Sequence, residues 1–159
     1  MLYIWHTLIK LMIVILCGPV GVGKTTVVGK LKRRLDEKHL DFKVMHSDDF
    51  STHTYDQMFD EVKESDKNWI LDGTFYRKDI REKFRRLDDV QIIWLKADLE
   101  TCIKRNEQRE EPLEEKVVHI MYHKFEEPDA DIEIDTDDLS SDEVVDIILK
   151  EIFEMKGIK

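Results

Sequence analysis

The stretch LMIVILCGPVGVGKTT, residues 11–26, constrains the fold more than any other part of the chain. Its first seven residues are continuously apolar, with β-branched Ile13, Val14 and Ile15 at the centre. Such a run suits a parallel strand covered on both faces. The rest fits G-x-x-x-x-G-K-[ST], with Gly18, Gly23, Lys24 and Thr25 in the fixed places. A strand, a glycine-rich turn and a helix in that order make a phosphate cradle. Backbone N–H groups curl around phosphate oxygens, and the helix N-terminus adds its positive dipole. The predicted nucleotide contacts are Gly18, Gly21, Val22, Gly23, Lys24, Thr25 and Thr26. Lys24 is placed to reach the β- and γ-phosphates of ATP, and the Thr25 hydroxyl to reach Mg2+.

Apolar runs alternate with helical periodicity along the rest of the chain. Strands are expected at 11–17, 41–47, 68–73, 90–97 and 130–136. Helices are expected at 25–38, 53–65, 77–87, 99–109 and 113–125, and from Ser140 or Ser141 to about 155. In the first helix Val27, Val28, Leu31 and Leu35 share a face. In the fifth, Val117, Ile120, Met121 and Phe125 do so. Asp98 stands where an N-cap is wanted. The pattern predicts an α/β fold of three layers, a five-stranded parallel sheet with helices on both faces. Residues 11–159 read as one domain, with a lid around 105–125 broken at Glu110-Glu111-Pro112.

Residues 1–10 read as an extension of unclear role, with Met12 a plausible start. The apolar N-terminus is interrupted by His6 and Lys10, too short for a membrane span of about 20 residues. It hints at a dimer contact, so monomer and homodimer both stay open. Cys17 and Cys102 read as buried reduced thiols, which with the lack of a cleavage site predicts a cytoplasmic protein. The formal net charge of −10 argues against unspecific nucleic-acid binding.

Several polar residues fall where strand ends would face a ligand. Asp72 closes the apolar run WIL and is the candidate partner of Thr25 in holding Mg2+. Asp48 and Asp49 follow the second strand. Asp48 is the first choice for a catalytic carboxylate, and Asp49 is assigned to the substrate. Arg105 and Arg109, four apart, could close over phosphates and neutralise developing charge. Thr74, Tyr76, Arg77 and Arg81 begin a basic segment that would suit an anionic or nucleotide-like acceptor, an RNA or DNA 5′ end included. His46, His53, His119 and His123 show no zinc-ligand spacing, and HIMYH lacks the Glu of H-E-x-x-H.

Four segments carry a family resemblance: GPVGVGKTT, SDDF, LDGTFYRKDIR and RNEQREEPLEEKVVHIMYHKFEEPD. With them, residues 11 to about 136 resemble the small P-loop kinases grouped around seryl-tRNA(Sec) kinase, adenylylsulfate kinase and polynucleotide kinase. The kinase domain of archaeal seryl-tRNA kinases is the most similar. The resemblance implies strand order 2-3-1-4-5, ATP and Mg2+ at Lys24 and Thr25, Asp48 as the acid that activates the acceptor hydroxyl, and Arg105 and Arg109 as lid arginines. The chain stops where a seryl-tRNA kinase continues into a tRNA-binding domain, and Asp48-Asp49-Phe50-Ser51 lacks the Arg of D-x-x-R. The acceptor is therefore open among a small molecule, a nucleotide and an RNA end. A GTPase would need N-K-x-D, which is missing, and a motor ATPase would need Asp-Glu where Asp72-Gly73 stands. A P-loop ATPase or a nucleotide-binding regulator without an acceptor is the alternative.

Overall fold

Strand β1 (Ile13–Cys17) is buried along its whole length, and its side chains divide between two cores. Val14 and Leu16 join one; Ile13, Ile15 and Cys17 join the other. Side chains alternate across a strand, so this division requires a cover on each face of the sheet. The computed structural model describes residues 11–155. The expected extension at 1–10 and any dimer contact it makes lie outside them.

The chain runs β1, α1 (Lys24–Glu37), β2 (Phe42–His46), a short 3-10 turn (Ser47–Asp49), α2 (Thr54–Lys63), β3 (Asn68–Asp72) and α3 (Lys78–Arg85). It continues through β4 (Val90–Lys96), α4 (Leu99–Glu107), α5 (Glu115–Lys124), β5 (Ile132–Asp135) and α6 (Ser141–Met155). The sheet order is β2-β3-β1-β4-β5, all parallel, as the resemblance implied. Every strand therefore ends at one rim.

One face is covered by α1 and α6, with Cys102 of α4 and Val118 of α5 beside them. The predicted stripe Val27, Val28, Leu31, Leu35 is the buried face of α1. The other face is covered by α2 and α3 through Met58, Val62 and Phe84, and by Phe75. In α5 the expected face differs. Val118 is the buried residue, Tyr122 packs beside it, and Ile120 is exposed. Apolar side chains surround most of that helix, so spacing alone could not choose the packed side.

Two helix starts refine the sequence reading. Ser140 and Glu143 form a reciprocal capping box: the Glu143 amide donates to Ser140 Oγ and the Ser140 amide to Glu143 Oε1, both at 3.1 Å. Asp98 does occupy the N-cap of α4, yet its side chain makes no capping bond. Its own amide donates to Asp137 Oδ1 at 3.0 Å, which ties the helix start to the turn after β5. Among the described residues no helix is long and apolar enough to cross a membrane.

Candidate active site

The loop between β1 and α1 is fixed by what its glycines permit. Gly21 has φ 87°, and a Cβ there would collide with the Cys102 carbonyl of α4. Gly23 has φ 101° and serves as N-cap of α1 without any side-chain cap, while the space a Cβ would enter is empty. A side chain at either position would strain the backbone. The first-turn N–H groups of α1 have no intrahelical acceptor, and the open side of the loop faces a cleft. That arrangement fits an anion.

Lys24 folds back on the loop. Its Nζ donates to the carbonyls of Gly18 at 2.8 Å and Pro19 at 3.0 Å. Desolvation pulls its ammonium below the usual lysine range, and Asp72 opposes that pull. A half-buried cation held on two neutral carbonyls beside the cleft is poised for a stronger anionic partner.

The cleft has a volume of about 1110 Å³. One wall is residues 20–27, and the next carries Ser47, Asp48, Asp72, Gly73 and Thr74 from the ends of β2 and β3. Arg105, Gln108, Arg109, Glu110, Glu111 and Leu113 form the lid side. Thr136, Leu139, Ser141 and Val144 complete the far end. Asp48 thus shares one cleft with Lys24, Thr25 and Asp72, whereas Asp49 is exposed and does not line it.

Asp72 is almost fully buried at the end of β3. Its Oδ2 accepts from Thr25 Oγ1 at 3.2 Å and faces His46 Nδ1 at 2.8 Å. The pair Thr25 and Asp72 offers a hydroxyl and a carboxylate, the hard oxygen donors that Mg2+ takes. The residues therefore fit the metal. His46 was missed in the sequence, where histidines were tested only for zinc spacing. Its signal is register: His46 and Asp72 are direct partners across β2 and β3.

The two lid arginines behave differently. Arg105 is a strut: its Nη1 donates to the Val22 carbonyl at 2.9 Å and to Thr136 Oγ1 at 2.8 Å, and its Nη2 to the Thr136 carbonyl at 2.7 Å. Arg109 is exposed on the lid segment that follows α4. The helix breaks at 108–114, where Glu110-Glu111-Pro112 was expected to break it.

Arg77 and Arg81, both expected to meet an anionic acceptor, lie differently. Arg77 is exposed and paired with Asp79. Arg81 is buried at 3% exposure, and its Nη1 donates to the Phe75 carbonyl at 2.5 Å. Burial lowers its guanidinium below the usual arginine range. Its Nη2 has no hydrogen-bond partner among the described residues. Arg81 turns inward because the segment ahead of α3 turns at Phe75, which is fully buried with φ 44°. A bulky residue in that region is strained. Tyr55 and Arg81 hold it from both ends, since the Phe75 amide donates to the Tyr55 hydroxyl at 2.9 Å. Tyr55 also bonds the Thr74 hydroxyl at 3.0 Å, setting that side chain at the cleft. Tyr76 is half-buried outside the cleft, its carbonyl accepting from the Glu126 amide. Most of the basic residues of α3 have acidic neighbours: Lys78 with Glu82, Lys83 with Asp56 and Arg85 with Asp131.

With this geometry in place, comparison with known proteins decides the family. A family model described as an AAA domain (AAA_33) matches residues 13–128. The chain belongs to this AAA domain family. A curated relative, the L-seryl-tRNA(Sec) kinase of Methanococcus maripaludis, is 28% identical, over 93% of this chain and 67% of its own length. A gluconokinase from Sinorhizobium meliloti has a similar structure, with TM-score 0.77 and 10% identity, covering 93% of this chain and 95% of its own. So does the APS kinase of Mycobacterium tuberculosis, solved with AMPPNP and APS, with TM-score 0.71 and 15% identity over 90% and 98%. The fold is the one these two kinases share, a parallel sheet of order β2-β3-β1-β4-β5 with the phosphate loop after β1.

Proposed function

We propose that this chain transfers the γ-phosphoryl group of ATP to a hydroxyl of its acceptor. The observation that carries the reading is that Asp48 faces the same cleft as Lys24, Thr25 and Asp72. A carboxylate and a phosphate cradle are then separated only by the space where an acceptor would lie.

In this reading the loop amides and Lys24 bind the phosphates, and Lys24 exchanges its two carbonyl partners for phosphate oxygens. Thr25 and Asp72 would hold Mg2+, which when bound neutralises charge on the β- and γ-phosphates. Asp48 accepts the proton of the acceptor hydroxyl as its oxygen bonds to the γ-phosphorus. The bond from that phosphorus to the bridging oxygen breaks, and ADP leaves with the electron pair. Arg109 meets the developing charge from the lid, and Arg105 holds the loop and the turn after β5 in register. Thr74, set by Tyr55, orients the acceptor, with Asp49, Tyr76 and Arg77 further out.

The curated relative is named for a seryl-tRNA acceptor. Here the basic residues of α3 are largely paired with carboxylates, and the net charge is −10, which favours a small molecule or nucleotide over an extended nucleic-acid contact. An RNA or DNA 5′ end that uses Arg77 is the second acceptor class. Equilibrium nucleotide binding, compared with acceptor-dependent ADP release, tests the reading. Tight nucleotide binding with turnover that rises on addition of an acceptor supports it. Steady ATP hydrolysis that no acceptor alters would replace it with an ATPase or a regulator.

A further inference from the structure

We propose that His46 is a positioning residue for the Asp72 carboxylate, so that divalent-metal affinity at the nucleotide site depends on the His46–Asp72 contact. The inference rests on the reading of Thr25 and Asp72 as the metal-holding pair.

Asp72 is 5% exposed, and a buried carboxylate is costly unless donors meet it. Two donors do, and both use the same oxygen. Thr25 reaches Oδ2 from the start of α1, and His46 reaches it from the end of β2. Next to a carboxylate, His46 Nδ1 must be the donor, which fixes the hydrogen on that nitrogen. Neither contact uses Oδ1.

The two donors differ in what happens on metal binding. The Thr25 hydroxyl is itself a proposed metal donor, so its hydrogen bond to Asp72 is available for exchange. His46 belongs to a strand whose backbone is paired to β3 residue by residue, with His46 directly opposite Asp72. Its contact can persist when Thr25 turns. An outer partner of this kind orients a carboxylate, and losing one typically weakens metal binding about 10–100-fold. The same strand end continues into the turn that presents Asp48, so β2 supplies both the support of the metal carboxylate and the proposed base.

The test measures binding rather than turnover. A fluorescent ADP analogue is titrated in EDTA and again across a Mg2+ series, with Mn2+ binding followed by electron paramagnetic resonance. The proteins are wild type, Asp72→Asn, His46→Ala and His46→Asn. Metal-free nucleotide affinity of His46→Ala should stay within about twofold of wild type, while half-saturation by metal rises about tenfold or more. His46→Asn, which keeps a side-chain donor, should recover most of the loss. His46→Leu, which keeps bulk and removes the donor, substitutes for the alanine variant if that variant unfolds. Unchanged metal half-saturation in His46→Ala or His46→Leu overturns the proposal. So does an equal loss of metal-free nucleotide affinity, which would make His46 a general brace of the strand end. Asp72→Asn separates the layers: if it too leaves metal binding unchanged, the metal-holding role of Asp72 falls, and the inference with it.

Discussion

Asn106 grips Leu113 by both of its backbone groups. The Asn106 Nδ2 donates to the Leu113 carbonyl at 2.8 Å, and the Leu113 amide donates to Asn106 Oδ1 at 3.1 Å. Asn106 is buried at the end of α4, so this bridge closes the segment bearing Arg109, Glu110 and Glu111 into a fixed loop beside the cleft. Asn106→Ala leaves both Leu113 groups without that partner, at about 1–3 kcal/mol. The expected result is local: faster amide exchange at 107–114, a raised KM for ATP, and exchange in β1 unchanged. Hydrogen-exchange mass spectrometry beside steady-state kinetics checks it.

Lys24 gives a prediction with two parts of opposite sign. Its ammonium is desolvated, and its pKa is lowered in the folded chain, so the charged form disfavours folding of the free protein. Lys24→Met should therefore unfold no earlier than wild type in a thermal scan. Nucleotide binding should fall about 10- to 100-fold, the equivalent of about 1.5–3 kcal/mol for a hydrogen bond to a charged group. A variant that lost stability and kept nucleotide affinity would contradict both roles.

Arg77 and Arg81 should separate cleanly. Arg81→Met removes the donor to the Phe75 carbonyl and should cost about 1–3 kcal/mol in a denaturant titration. Transfer should drop as well, since Thr74 precedes the strained residue. Arg77→Ala lies on the surface and should stay within about 0.5 kcal/mol of wild type. Its effect should appear only in the KM of an anionic acceptor.

Burial pushes the Cys17 thiol up to about 12 and the Cys102 thiol up to about 11, from 9.0. Raised folded values mean that the unfolded chain releases these protons first as pH rises. Their contribution is complete below pH 9 and is lost as pH climbs toward 11 for Cys102 and 12 for Cys17. Each thiol should steepen the alkaline fall in stability by about 1.4 kcal/mol per pH unit in its window. Cys102→Ala should show a shallower fall than wild type between pH 9 and 11. Equal slopes would contradict the shift.

Much of this architecture was legible because it rests on local chemistry. The apolar run at 13–17, the glycine pattern at 18–23 and the stripe from Val27 to Leu35 each demand one local structure, and the alternation of elements then restricts the sheet. Asp48 and Asp72 could be placed at strand ends because those are marked by the loss of apolar character, and both do line the cleft. What no spacing rule contains is orientation across elements. Arg81 turned inward because Phe75 reverses the chain ahead of α3, and no spacing rule contains that φ angle. Arg105 lines the cleft as expected, but its bonds to Thr136, thirty-one residues away in the turn after β5, lie beyond any spacing rule. His46 acquired a partner through register alone. The capping box at Ser140 and Glu143, by contrast, is a local pattern that the spacing S-x-x-E itself carries.

The most direct test of the account is label transfer from γ-labelled ATP. A 5′-hydroxyl oligonucleotide, seryl-tRNA, adenylylsulfate and a nucleoside and nucleotide mixture are offered in parallel to wild type and Asp48→Asn. The account predicts label in one acceptor class, reduced about 10²–10⁴-fold in Asp48→Asn with ATP affinity retained. Label released only as inorganic phosphate, at the same rate in both proteins, would contradict it.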